Sequence, residues 1–162
     1  MDGLVLAVER MIRASPEAIF DVLADPSKHS TIDGSGMLQG ATEGDSRRLA
    51  MGVTFGMSMK MGIHYSTVST VVEFEKDRLI AWKTGPKGLL ERFVAGRIWR
   101  YELEPRAVGT LVKESWDITR DHQRTLLKLG DIWSGKTRRD MELTLARLDS
   151  LVTASPLGED AS

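Results

Sequence analysis

The sequence predicts an α+β domain: a meander of antiparallel strands closed on one side by a long C-terminal helix. Between Met37 and Ile118, apolar or alternating runs alternate with short stretches of turn residues, the pattern of successive strands. The joins are too short for crossovers, so neighbouring strands should pair antiparallel. From Asp131 to Val152 the period changes to 3.6, and Thr137, Met141, Thr144, Leu145, Leu148 and Val152 fall on one side of a helix. That face is narrow and moderately apolar, suited to lying against the open side of a sheet.

The elements follow in order. Leu4 to Ile12 alternates and predicts a strand. Ser15-Pro16-Glu17 reads as N-cap, first-turn proline and early acid of a helix that ends at Asp25-Pro26, because the residue before proline avoids the α region. Ser27 to Ile32 suits a second short helix, and Asp33-Gly34-Ser35-Gly36 a turn. Strands are then expected at Met37–Ala41, Arg48–Met51, Val53–Met61, Tyr65–Glu75, Leu79–Thr84, Arg97–Leu103 and Leu111–Ile118. Glu43-Gly44-Asp45, Gly62, Lys76-Asp77, Gly85-Pro86-Lys87-Gly88 and Pro105 to Gly109 supply the turns. A helical turn around Leu126–Leu129 precedes the final helix, and the small polar tail after Ala154 suits disorder.

With 162 residues, 41% hydrophobic and 28% charged, the chain can bury one ordinary core. It has no cysteine, which excludes disulfides and thiolate chemistry. A net charge of −1 gives no reason to expect nucleic acid as partner. No window approaches the ~20 apolar residues of a membrane span, so membrane insertion is not expected. Met1 to Ala14 lacks the apolar run of a leader. The expectation is a cytoplasmic protein, monomeric or a weak homodimer.

Alternation also assigns an inner face. It takes Val53, Phe55, Met57, Met59 and Met61, then Val68, Thr70, Val72 and Phe74, then Ile80, Trp82 and Thr84. Arg97, Trp99, Tyr101 and Leu103 follow, with Val112, Glu114, Trp116 and Ile118 last. Three tryptophans on three strands are hard to pack side by side behind one helix. Methionine is the adaptable residue of promiscuous binding surfaces. Glu114 is a carboxylate on an otherwise apolar face and requires a partner or water. A solid core with Glu114 at a wet rim accounts for the same residues. The sharper reading is an apolar cavity with a few polar anchors, lined by Phe55, Met57, Met59, Val68, Trp82, Trp99 and Trp116 and closed by Met141 and Leu145.

Ser15-Pro16-Glu17-Ala18-Ile19-Phe20-Asp21-Val22-Leu23-Ala24-Asp25-Pro26 resembles the first helix of the START-like, polyketide-cyclase/dehydrase superfamily, which shares the birch-pollen-allergen fold. Further matches are Val72-Glu73-Phe74 with Ile80-Ala81-Trp82, Trp99 to Pro105, and Gly109 to Asp117. The resemblance covers Leu4 to Val152. It implies a helix-grip fold, a seven-stranded antiparallel sheet wrapped around the C-terminal helix, with an apolar tunnel between them. Residues 1–154 would form one such ligand-binding domain and 155–162 a disordered tail. Members bind lipids, sterols or polyketides, and some cyclise or dehydrate them. Lys28 to Gly34 departs from the Trp-rich segment that many members carry there.

Gly130-Asp131-Ile132-Trp133-Ser134-Gly135-Lys136-Thr137 matches the phosphate-loop pattern letter for letter. The context argues against it: no buried parallel strand precedes it and too little chain follows for a nucleotide-binding domain. A helix N-terminus capped by Ser134 or Asp131 explains the same letters. His29, His64 and His122 are scattered, and no spacing suggests a metal. No cofactor is expected. The favoured function is binding of a hydrophobic small molecule. The alternative is a cyclase or dehydratase with Glu114, Tyr101 or His64 as proton shuttle. An ion pair from Glu114 to Arg97 or Arg100 across the sheet is the competing structural role.

Overall fold

A computed structural model describes residues 4–41, 47–86 and 96–154. The expected polar tail, the turn Glu43-Gly44-Asp45 and Lys87-Gly88 lie outside the described residues. Seven strands form one antiparallel sheet: β1 (Val5–Ile12), β2 (Leu38–Ala41), β3 (Thr54–Met61), β4 (Ile63–Glu75), β5 (Leu79–Pro86), β6 (Arg97–Arg106) and β7 (Gly109–Asp117). Their order is β1-β7-β6-β5-β4-β3-β2, so β1 returns to pair with the last strand. Helix α1 (Pro16–Leu23) and the single turn α2 (His29–Ile32) lie between β1 and β2. Helices α3 (Arg124–Ser134) and α4 (Lys136–Thr153) end the chain.

Local chemistry sets the boundaries. The Ser15 hydroxyl accepts from the Ala18 N–H and Pro16 opens α1, as its sequence requires. A 3-10 turn at Pro26–Lys28, capped by Asp25, leads into α2. Helix α4 packs on β1 and β7 and against α1 and α2. It buries Met141, Thr144, Leu145 and Leu148, four of the six residues its periodicity put on one side. Met141, Leu145 and Leu148 join Phe55, Met57, Trp82, Tyr101 and Trp116 in one continuous apolar cluster.

Three expectations need correction. The helix drawn from Asp131 to Val152 is two helices. Gly135 sits between them at φ 53°, a left-handed conformation that glycine adopts without steric cost, and no side chain caps α4. Gly130 and the four residues after it are helical. Their amides are therefore not free to cradle a phosphate, and Lys136 pairs instead with Asp140. Arg48–Met51 is not a strand: the Leu49 N–H donates to the Ala24 carbonyl at 2.7 Å, and its buried side chain is pinned under the end of α1.

The third correction concerns β4. Phe55 pairs with Ser69, Met57 with Thr67 and Met59 with Tyr65, so the odd residues of β4 share the inner face. A bulge between Val71 and Glu73 then shifts the register, and Phe74 also turns inward, opposite Ile80. Counting back by twos from Phe74 puts Val68, Thr70 and Val72 on the wrong side. Val72 is in fact exposed.

Candidate functional site

The concave face brings most of the expected residues together. Trp82, Trp99 and Trp116 form one row across β5, β6 and β7, as direct cross-strand partners. Trp99 and Trp116 stack at 5.7 Å between ring centroids, which answers how such large side chains fit side by side. Trp82 stacks on His29 at 5.0 Å, and Phe55 meets both rings edge-on. Met57, Met141 and Leu145 are buried in the same cluster. His64 and Val68 are not part of it. His64 pairs with Lys60 and Val68 with Gly56, on the opposite side of the sheet from Met59 and Phe55. His64 is exposed, so the sheet separates it from any proton transfer on the concave face.

Along β3 to β6 the concave face changes character. Phe55, Ser69, Val71, Trp82 and Tyr101 are buried, whereas Met59, Tyr65, Thr84, Arg97 and Trp99 are half-buried. Beyond them Met61 is 65% exposed at the β3–β4 hairpin. Among the described residues, burial on this face is complete near α1 and falls toward that hairpin. At the less buried end Arg97 donates to the fully buried Asp121 at 2.9 Å, which ties β6 to the segment leading into α3.

At the centre of the face, Tyr101 and Glu114 are cross-strand partners, and the Tyr101 hydroxyl donates to Glu114 Oε1 at 2.8 Å. The expected ion pair does not form: Arg97 goes to Asp121 and Arg100 to Glu73. Burial pushes the Glu114 carboxyl up to about 8, with the charge of Asp33 adding to the rise and the tyrosine hydrogen bond opposing it. Glu114 is therefore mostly a neutral acid at pH 7. The same burial drives the Tyr101 phenol well above its usual value. Glu114 Oε2 and Trp116 Nε1 are buried and have no hydrogen-bond partner among the described residues.

Two residues outside the expected set shape this centre. Asp33 caps its own loop, accepting from the Ser35 and Leu38 amides at 3.1 and 2.9 Å, and puts a negative charge near Glu114 and Tyr101. An Asp-Gly-Ser-Gly turn is visible in the sequence, but its approach to β7 is tertiary. His29 is buried, its Nε2 lies 2.8 Å from the Leu23 carbonyl, and burial lowers its pKa. As the neutral ring it donates that N–H and serves as an aromatic wall. Among the described residues no cluster of three or more His, Asp or Glu side chains is arranged to hold a metal. No described helix is long and apolar enough to cross a membrane.

Replacing Tyr101 with phenylalanine removes the hydrogen-bond donor that, among the described residues, favours the charged form of Glu114. Titration of the Glu114 carboxyl by NMR is expected to move further above 8, with a stability loss of about 1–2 kcal/mol in denaturant melts at pH 7.

The architecture defines a helix-grip protein, an antiparallel sheet curled toward a C-terminal helix with polar groups set into an apolar concave face. The sequence matches the polyketide cyclase/dehydrase and lipid transport family over residues 4–153, and the chain belongs to that family. It is 31% identical over 107 residues to an uncharacterised protein of Mycobacterium tuberculosis, an alignment spanning 64% of this chain and 43% of that protein. The chain thus spans less than half the length of this curated relative. A crystal structure from Mycobacterium smegmatis superposes with a TM-score of 0.70 at 18% identity, covering 94% of this chain and 93% of that one. A ginseng major latex-like protein superposes at 0.66 with 11% identity, covering 91% and 95%. At these identities the solved structures share the fold alone.

Proposed function

We propose that this protein binds a hydrophobic small molecule of the lipid, sterol or polyketide class on the concave face between the sheet and α4. Residues 1–154 act as one START-like binding domain in this reading. One observation carries it: Glu114 Oε2 and Trp116 Nε1 are both buried and unpartnered within an apolar wall. A buried polar atom without a partner costs about 1–3 kcal/mol. Two such atoms sit two residues apart on one strand, on a face whose burial falls toward the β3–β4 hairpin, and a molecule bound there would supply the missing partners. Phe55, Met57, Trp82, Trp99, Met141 and Leu145 supply the apolar contact, and Met59 lies at the entrance.

Native mass spectrometry of the full chain purified from its own host tests this directly. The expected result is a co-purifying small molecule released on denaturation. Absence of any adduct, together with no thermal shift from sterols, acyl lipids or polycyclic aromatics, overturns the proposal.

The Tyr101–Glu114 pair favours a second reading, that of a cyclase or dehydratase. A carboxylic acid that holds its proton near neutral pH can deliver it to a substrate oxygen, with Tyr101 aligned behind it. In that case Glu114→Gln retains binding and loses turnover; a parent chain that binds its ligand and never turns it over refutes the enzyme, and a variant that keeps turnover refutes Glu114 as the proton donor.

A further inference from the structure

We infer that the end of the sheet carrying the β3–β4 hairpin and α3 is a docking surface for an anionic lipid bilayer, on which the protein lies without crossing it. The inference stands whether or not the concave face holds a ligand, because the residues that carry it are exposed.

Two exposed apolar pairs define the surface. Among the described side chains of α3 only Leu127 packs on the core. Leu126 and Leu129, three residues apart and so on one side of the helix, are 69% and 50% exposed. The helix therefore shows to solvent leucines of the kind that an amphipathic helix ordinarily buries. At the tip of the β3–β4 hairpin, Met61 and Ile63 are cross-strand partners, 65% and 72% exposed. Gly62, at φ 75°, turns the chain between them.

The topology puts both pairs at one end of the sheet. Ser69 on β4, Thr84 on β5 and Arg97 on β6 form one cross-strand row. From that row β4 runs back to Ile63. Arg97 in turn bonds Asp121 and Gln123, the residues that lead into α3.

Cations accompany both pairs. Lys60 stands beside Met61, Arg120 precedes α3, and Arg124 and Lys128 lie four residues apart on it, all of them exposed. Among the described residues none of these four takes part in an ion pair. Between Thr119 and Arg139 the chain carries six basic residues against Asp121 and Asp131, in a protein whose net charge is −1. Asp121 is fully buried and paired with Arg97, so it cancels none of the exposed charge.

This combination selects the partner. On a membrane surface the apolar side chains enter the acyl boundary, while lysine and arginine heads stay among the phosphates. A second copy of the chain would bring the same cations to the contact, so that like charges face one another. Nucleic acid would meet the cations and leave the leucines and the hairpin tip without an apolar partner.

Co-sedimentation of the full chain with vesicles tests this, using phosphatidylcholine alone and phosphatidylcholine mixed with phosphatidylglycerol. The expected result is binding to the anionic vesicles that weakens with added salt, and little binding to the neutral ones. Leu126→Ser with Leu129→Ser, and separately Met61→Ser with Ile63→Ser, each lower the affinity about tenfold. Arg124→Gln with Lys128→Gln lowers it about tenfold as well and flattens the salt dependence. Val108→Ser is the control: Val108 is 64% exposed, but it lies on the β6–β7 turn at the opposite end of the sheet, and its loss leaves binding unchanged. Thermal melts of each variant confirm that it remains folded. Failure to sediment with anionic vesicles, or binding that survives either apolar double substitution undiminished, overturns the proposal. A dimer that Leu126→Ser with Leu129→Ser dissolves, in a chain that ignores vesicles, assigns the face to a second copy and overturns it equally. Each of these failures leaves the ligand-binding reading standing.

Discussion

Glu114→Gln raises the melting temperature at pH 9 by about 10 °C or more and leaves it almost unchanged at pH 4. The folded chain holds the Glu114 proton up to about 8, whereas the ordinary value is 4.5. The contribution of that protonated acid is complete below 4.5 and is lost as pH rises toward 8 and beyond. At 1.36 kcal/mol per pH unit, the gap is worth on the order of 5 kcal/mol. A domain of this size moves roughly 2–4 °C per kcal/mol. Glutamine has no proton to lose, so its curve stays flat over that interval. Differential scanning calorimetry from pH 4 to pH 9 on both proteins checks the expectation, and parallel curves would refute it.

His29 acts from the other side. Its folded value is lowered below 6.5 by burial, so the unfolded chain takes up a proton more readily. The stability it contributes is present above 6.5 and is lost as pH falls. Its contribution therefore changes with pH in the opposite direction to that of Glu114.

Gly34→Ala is expected to loosen the junction between the α2 loop and α4. A Cβ at Gly34 would lie 2.0 Å from the Asp140 carbonyl oxygen and 2.8 Å from the Thr144 amide nitrogen, both backbone atoms that cannot swing aside. The Gly34 N–H also donates to the Thr144 hydroxyl at 2.9 Å, a bond lost if the strands of chain part. Overpacking of this kind costs about 1–3 kcal/mol and the hydrogen bond about 1 more, a fall of roughly 10 °C. Gly36→Ala is the control. It has a positive φ of 69° and no atom within 4 Å of the added Cβ, so it carries backbone strain alone and is expected to cost about 1 kcal/mol. Thermal melts of the two variants compare them, and equal losses would remove the close approach as the cause.

Much of the fold was legible because short-range rules decide it. The α1 cap, the turn residues and the 3.6-residue period of α4 are local signals, and the inner face of β6 and β7 follows from simple alternation. Trp99, Tyr101, Glu114 and Trp116 were identified as one face for that reason. The limits are equally specific. The Val72 bulge leaves no mark in a run of alternating β-branched residues, and it reversed the side assigned to Val68. His64 looked close to the methionine stripe in sequence, but β3 and β4 join through a tight turn at Gly62 that leaves it paired with Lys60 on the other face. Arg97 and Arg100 were plausible partners for Glu114 by charge, yet each has a nearer carboxylate in space. Asp33 influences β7 only because α2 and its loop fold back over the sheet, a long-range event that no window of sequence contains.

The side change within β4 bears on how relatives can be compared with this chain. Upstream of Val72 the lining positions are Tyr65, Thr67 and Ser69, and downstream the parity inverts at Phe74. A relative whose corresponding strand is regular has one residue fewer there. Aligned without a gap, its solvent-facing positions would be read as ligand contacts over half the strand. Transfer of binding residues across this hairpin is sound only where the extra residue is matched first.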